Sequence, residues 1–156
     1  MLTFDDGYIG DVLFTYPELK NKSIPAVFGI IPSVVGSNMY TGWEFIRRVS
    51  TEGLVDIESH TLVHAHLSKL PSSDVEREMR DSKKILEENL GKNVSVLIYP
   101  YGDYNANVMN IARRYYDAAF ALHVPDETPV DLFNIPRLLV WKFTELEDFK
   151  QQLQNF

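Results

Sequence analysis

Pro25-Ala26-Val27-Phe28-Gly29-Ile30-Ile31 runs seven residues without a charged or hydrogen-bonding side chain. The run is rich in β-branched and aromatic residues, and it suits a strand buried on both faces, as in a parallel sheet. On its N-terminal side, Leu2-Thr3-Phe4 reads as a shorter strand ending at Asp5-Asp6-Gly7, and Val12 to Lys20 as a short helix ended near Asn21-Lys22. On its C-terminal side, Thr41 and Glu44 predict a capping box. The helix they open has Trp43, Ile46 and Val49 facing inward, and Gly53 stops it.

The same alternation continues along the chain. Leu54-Val55-Asp56-Ile57-Glu58 alternates as a strand should and runs into Ser59-His60. Pro71-Ser72-Ser73 introduces the clearest helix, with Ser73 and Glu76 as capping box, Val75, Met79, Leu86 and Leu90 on one face, and Gly91 at its end. Glu76 with Arg80 and Lys83 with Glu87 form pairs four apart, which mark a solvated face. Val94 to Ile98 is a further strand, and Asn105 caps a helix with Val108, Ile111, Ala112 and Tyr115 inward. Asp117–Leu122 and Ile135–Val140 read as strands, and Thr144 with Glu147 caps a last helix bearing Leu146, Phe149 and Leu153. Repeated β-α units imply an α/β fold with a parallel sheet and right-handed crossovers. The polar motifs fall where strands end, which is where such folds place their sites.

Composition narrows the function. With 156 residues, 45% hydrophobic and 24% charged, the chain is expected to be one globular domain spanning 1–156. A net charge of −7 argues against nucleic acid and anionic membrane as partners. No apolar run approaches the ~20 residues of a transmembrane helix. The absence of cysteine removes disulfides, thiolate metal sites and a cysteine nucleophile together. No signal peptide precedes the first strand, and so abrupt an opening leads us to expect that an upstream segment, with room for a secretion signal, is missing.

Two adjacent acids at a strand end gain nothing from each other, because they repel. They become useful if one binds a cation and the other moves protons. His60-Thr61-Leu62-Val63-His64 places two imidazoles four apart just past another strand. On a helical turn they would share a face and could chelate one ion; alternatively they are unrelated surface histidines. His66 falls off the shared face and is left out. One carboxylate and two histidines make a common divalent site with open positions, and a bound ion lowers the pKa of a coordinated water toward ~7.

Thr3-Phe4-Asp5-Asp6-Gly7, Ser59-His60-Thr61-Leu62-Val63-His64 and Tyr99-Pro100-Tyr101-Gly102, in that order, resemble the successive motifs of the polysaccharide deacetylases, the family-4 carbohydrate esterases with a NodB-type domain. Ser82 in the long helix and Ile135-Pro136-Arg137 extend the match. The resemblance implies a distorted, incomplete TIM-like (β/α) barrel and metal-dependent removal of an acetyl group. It implies Asp5 as general base, and Asp6, His60 and His64 as ligands of zinc, with cobalt or nickel as substitutes. It assigns the Tyr101 backbone N–H to the oxyanion and has Pro100 hold that substrate-binding turn. Ser59 and Thr61 then shape the loop, and no nucleophile elbow supports a serine hydrolase.

Ile98-Tyr99 stands where many members carry an Arg before Pro-Tyr. Tyr-Pro-Tyr-Gly and Ile-Pro-Arg look more like the poly-N-acetylglucosamine deacetylase branch, associated with biofilm exopolysaccharide. In that branch the general-acid histidine can lie upstream of the motif that holds the acid pair, where the given sequence has only Met1 and Leu2 before Thr3. His123, the one histidine outside the cluster, is either that acid or a loop residue. Arg137 binds substrate, orients an active-site acid or forms a structural ion pair. Tyr8, Tyr99, Tyr101 and Tyr104 either stack on sugar rings or serve as core or rim packing. The expectation is an extracellular or cell-envelope N-deacetylase of an N-acetylglucosamine polysaccharide (poly-N-acetylglucosamine, peptidoglycan or chitin-like). The rivals are a catalytically silent carbohydrate-binding homologue and a deacetylase of acetyl-xylan or a small amide.

Overall fold

Six short strands, laid side by side in the order in which the chain makes them, form one all-parallel sheet in the computed structural model, which describes residues 1–122, 124, 129 and 131–154. The strands are β1 (Leu2–Phe4), β2 (Ala26–Ile30), β3 (Val55–Ser59), β4 (Val96–Ile98), β5 (Ala118–Ala121) and β6 (Ile135–Pro136). A π-helical turn, Asp11–Thr15, leads into α1 (Tyr16–Lys22); α2 (Trp43–Glu52), α3 (Ser72–Leu90) and α4 (Ala106–Ala112) make the following crossovers, and α5 (Leu146–Gln154) comes last. The sheet curls into a half-barrel, the incomplete barrel expected from the motifs, with β1 and β6 as its two edges.

All five residues of β2 are buried, as the Pro25–Ile31 run predicts. Successive residues of a strand point to opposite faces, so the two faces carry different clusters. Phe28, Ile30, Ile57 and Leu97 pack with Ile46 and Val49 of α2, Val75, Met79 and Leu86 of α3, and Val108 and Ile111 of α4. Val27, Ile98 and Phe120 form a smaller cluster on the other side. Each such aliphatic side chain contributes roughly 1.5–3 kcal/mol when fully buried.

Several local expectations are corrected. Thr41 does not cap α2; Gly42 holds the cap position, and Thr41 ties Gly7 to Gly36 through its backbone N–H and carbonyl. Ser73 does not cap α3, because the helix starts one residue earlier, where the Pro71 carbonyl accepts from Asp74 and Val75. Glu76 is therefore free to accept from the Tyr115 hydroxyl and to pair with Arg114, while Arg80 turns to Asp81. The Lys83–Glu87 pair forms as expected, at 2.8 Å. Asn105 caps α4 by accepting from the Val108 N–H. The strand read over Ile135–Val140 pairs only at Ile135 and Pro136. Thr144 accepts from the Trp141 N–H ahead of α5 and makes no cap with Glu147, which pairs with Lys150. Leu146 and Leu153 of α5 are exposed, where an inward face was expected.

Asp11, on the π-helical turn, is only 9% exposed. Burial pushes its carboxyl up to about 6, against hydrogen bonds from Thr15 and the Tyr8 backbone, and the charges of Asp6 and Asp5 push the same way as burial. An acid whose folded pKa is raised binds more protons in the native than in the unfolded state, so stability falls as pH rises from about 4 through about 6. Asp11→Asn removes that term. Urea denaturation is expected to find this variant roughly 2–3 kcal/mol more stable than the parent at pH 7.5, with the gain vanishing near pH 4. An equal difference at both values would show that Asp11 stays ionised without cost.

Candidate metal and active site

The C-terminal ends of β1, β3, β4 and β6 bring four polar segments to one end of the sheet. Asp5 and Asp6 follow β1 directly, and His60 follows β3, its N–H still donating to the Ile30 carbonyl on β2. Gly29 lies beneath His60; a Cβ there would meet the tip of the Ile98 side chain at 2.7 Å and stand 3.4 Å from His60 Cβ, so a larger residue would require Ile98 to shift.

Asp6 Oδ1 lies 3.5 Å from His60 Nε2 and 3.4 Å from His64 Nε2. One ligand-type atom from each of the three residues falls within 4.8 Å of the others, a spacing one ion could bridge. His60 Nδ1 sits 2.7 Å from the Ile98 carbonyl, which can only accept. The proton therefore resides on Nδ1, and the Nε2 lone pair faces Asp6, the arrangement by which metal-ligating histidines are usually oriented. Burial pushes the His60 imidazole below its ordinary pKa, against the pull of Asp5 and the Ile98 carbonyl, so the ring is neutral. Asp6 Oδ1 is buried and has no hydrogen-bond partner among the described residues. An unpaired buried carboxylate oxygen beside two imidazole Nε2 atoms, with the His60 lone pair facing it, is costly and is the donor set that a divalent cation satisfies. These residues fit a metal.

The two histidines do not reach this point on a helical turn, as their spacing suggested. Residues 60–66 form a non-helical loop, with Thr61 at φ 64° and His64 at φ 62°. Asp6 (φ 74°) and Tyr101 (φ 61°) are also left-handed, so among the described residues four of the six non-glycine residues with positive φ belong to the three motifs. Such residues cost about 1–3 kcal/mol each, and they gather at sites where side chains must converge.

Arg137 continues the β6 ladder, its N–H donating to the Ala121 carbonyl. Its guanidinium donates to both Asp5 oxygens at 2.8 Å and to Thr3 Oγ1 at 2.7 Å, so it orients an acid of the site. Burial pushes the Asp5 carboxyl up, but the Arg137 hydrogen bonds, with the charges of His60, Arg137 and His64, outweigh it and hold the pKa below the ordinary carboxylate value. Asp5 Oδ2 stands 3.9 Å from His60 Nε2, at the side of the three-residue cluster.

Pro100 is buried at the start of a tight turn, Pro100–Gly102, and shapes that turn from beneath. The turn's hydrogen bonds run from Gly102 N–H to the Tyr99 carbonyl and from Asp103 N–H to the Pro100 carbonyl, and neither uses the Tyr101 N–H. The Tyr101 ring is 53% exposed, 4.5 Å from the His64 ring and stacked at 3.9 Å on His66, the histidine the spacing argument set aside. On the β1 side, Tyr8 is 43% exposed and stacks on Tyr40 at 5.0 Å. The Asp6 charge, with burial and Tyr40, pushes the Tyr8 phenol up to about 12, so it remains a proton donor. Tyr99 is fully buried against Tyr104 and presents no face to a ligand. His123 lies outside the described residues.

A sequence profile described as polysaccharide deacetylase matches residues 1–116. The chain belongs to the polysaccharide deacetylase family. This family member is 31% identical over 114 residues to YxkH of Bacillus subtilis (strain 168), whose name places it among polysaccharide deacetylases; 73% of this chain and 40% of that protein are covered. It is 26% identical, over a 196-residue alignment, to the poly-beta-1,6-N-acetyl-D-glucosamine N-deacetylase of Escherichia coli O157:H7, covering 98% of this chain and 29% of that one. Among solved structures, the Streptococcus pyogenes deacetylase PplD in complex with acetate matches with a TM-score of 0.84 at 26% identity, over 96% of this chain and 68% of that chain. The chain spans less than half the length of these two curated relatives.

The Arg137–Asp5 pair can be tested by stability alone. Arg137→Ala leaves a largely buried carboxylate without its fork, and urea denaturation at pH 7 is expected to register a loss of about 2–4 kcal/mol. Arg137→Lys, lacking the planar fork, is expected to recover less than half of it. A loss of no more than about 1 kcal/mol for the alanine variant would place the pair with ordinary surface ion pairs.

Proposed function

We propose that the chain is a metal-dependent hydrolase that removes N-acetyl groups from an N-acetylglucosamine-containing polysaccharide, with poly-N-acetylglucosamine the favoured polymer. The observation that carries this reading is the buried, unpartnered Asp6 Oδ1 facing the Nε2 atoms of His60 and His64, with Asp5 alongside. Family membership supplies the reaction class, and the similarity to a poly-beta-1,6-N-acetyl-D-glucosamine N-deacetylase over 98% of the chain supports the polymer.

In this reading Asp6, His60 and His64 hold a divalent cation, zinc before cobalt or nickel. Bound there, the cation would acidify a water molecule and polarise the acetyl carbonyl. Asp5 takes up the proton of the attacking water; Arg137 keeps its carboxylate ionised and aimed. The Tyr101 N–H donates to the oxyanion, and one such donor contributes ~3 kcal/mol to the transition state. Tyr8 backed by Tyr40, and Tyr101 backed by His66, offer aromatic faces on either side of the β3 loop for a pyranose chain. No helix among the described residues is long and apolar enough to cross a membrane, and substrate and family together favour an extracellular or cell-envelope setting.

Acetate release from N-acetylglucosamine oligomers, with and without chelator, tests the reading. Activity is expected to disappear with chelator and to return with added zinc. Asp5→Asn should lower turnover at least ~10²-fold while the protein still binds one equivalent of metal. Unimpaired turnover in that variant would remove Asp5 from the role of base. Metal binding without acetate release by the parent chain would favour a silent carbohydrate-binding protein.

A further inference from the structure

The loop that carries His60 and His64 is too strained to hold itself. Thr61 and His64 are both left-handed, and the loop's internal support is slight: the Thr61 hydroxyl accepts from the His64 N–H at 3.2 Å, and Ser59 Oγ accepts from the Thr61 N–H at 3.3 Å. A conformation of this cost persists only when the surroundings over-determine it.

Further support comes from outside the loop: His60 is tied to Ile30 and Ile98, the Ser33 N–H donates to the Leu62 carbonyl at 3.3 Å, and side chains of α3 and Tyr116 hold the rest. Ser82 Oγ lies 2.8 Å from Ser59 Oγ, and the Tyr116 hydroxyl bridges Ser59 Oγ to the Met79 carbonyl. One turn earlier, Glu78 reaches the middle of the loop. A single carboxylate oxygen, Oε2, accepts from the N–H groups of both Leu62 and Val63, each at 3.0 Å. Leu62 and Val63 are two of the three residues between the histidines, so the carboxylate grips the arc that sets how far apart His60 and His64 stand.

Glu78 is 3% exposed, and among the described residues no basic side chain pairs with it. Burying an acid without a cation is expensive unless its acceptor capacity is used, and here the two backbone donors use it. Removing the carboxylate leaves both N–H groups unpaired next to two strained residues, and the loop then has reason to relax. Sequence pattern does not reveal this role, because Glu78 sits between Arg77 and Met79 on an ordinary charged helix.

We propose that Glu78 is a positioning residue for the metal site: by clamping the Leu62 and Val63 N–H groups it sets the separation of the His60 and His64 Nε2 atoms, and so the affinity for the cation. The proposal rests on the reading of Asp6, His60 and His64 as the ligands. The requirement is an acceptor oxygen at a fixed reach, and the negative charge is incidental. Glu78→Gln keeps that oxygen, Glu78→Asp keeps the charge but is one methylene short, and Glu78→Ala keeps neither.

The test is zinc affinity of the folded chain, by competition with a chromophoric chelator below the melting temperature of every variant, with circular dichroism confirming the fold. Leu86→Ala, a cavity in the same helix away from the loop, is the control for general destabilisation. Glu78→Ala is expected to bind zinc 10–100-fold more weakly than the parent, Glu78→Gln within about threefold of it, and Glu78→Asp closer to the alanine variant. Leu86→Ala should melt earlier yet bind zinc as the parent does. If Glu78→Ala fails to fold, the order of the glutamine and aspartate variants still decides. Parent-like affinity in Glu78→Ala, tighter binding by Glu78→Asp than by Glu78→Gln, or equal weakening in Leu86→Ala would each overturn the role. A parent chain that binds no zinc would overturn the ligand reading itself and Glu78's role with it.

Discussion

The guanidinium of Arg137 joins the two edges of an open sheet. Among the described residues β1 pairs only with β2 and β6 only with β5, and no backbone ladder connects the first strand to the last. Arg137, at the end of β6, instead donates to both oxygens of Asp5 and to Thr3 at β1. A planar fork on a carboxylate fixes direction as well as distance, which a lysine could not do. The pair also resolves the repulsion between neighbouring acids. Asp5 is drawn toward the far edge, while Asp6, turned by its left-handed backbone, faces the histidines.

The other constraint is stored in the loops. Asp6, Thr61, His64 and Tyr101 occupy a backbone region that most side chains avoid, and each brings a functional group to the C-terminal end of the sheet. Regular elements cannot do this, because strands send successive side chains apart and helices keep them on fixed rows. Strain is tolerated here since rigid neighbours oppose it: Ile98 holds the His60 ring, α3 holds the His60–His64 loop, and Gly102 fits against the Leu122 backbone, where a Cβ would stand 2.7 Å from its nitrogen. Stability is spent on geometry at such a site, which is where a stability–function trade-off is expected.

The buried strand at Pro25–Ile31, the alternation of elements and the gathering of Asp5, Asp6, His60, His64, Tyr101 and Arg137 were legible in the sequence because they depend on local pattern or ordered motifs. What escaped was set by tertiary context. Thr41 and Ser73 look like caps, yet backbone carbonyls of Gly42 and Pro71 take those positions. The i, i+4 spacing of the histidines suggested a helical turn, whereas a left-handed pair at Thr61 and His64 does the work, and no residue type announces it. Glu78 and Tyr40 act through contacts with residues distant in sequence, so neither carries a local signal. Tyr99 could be read as a stacking face or as core, and it is core, because β4 is covered on both faces.

The central claim is that Asp6, His60 and His64 share one divalent ion. X-ray absorption at the zinc edge, on the chain loaded with one equivalent of zinc, tests it most directly. The expected spectrum has a mixed nitrogen and oxygen shell at ~2.0–2.1 Å, with outer-shell scattering from two imidazoles. A spectrum with one imidazole or none would contradict it.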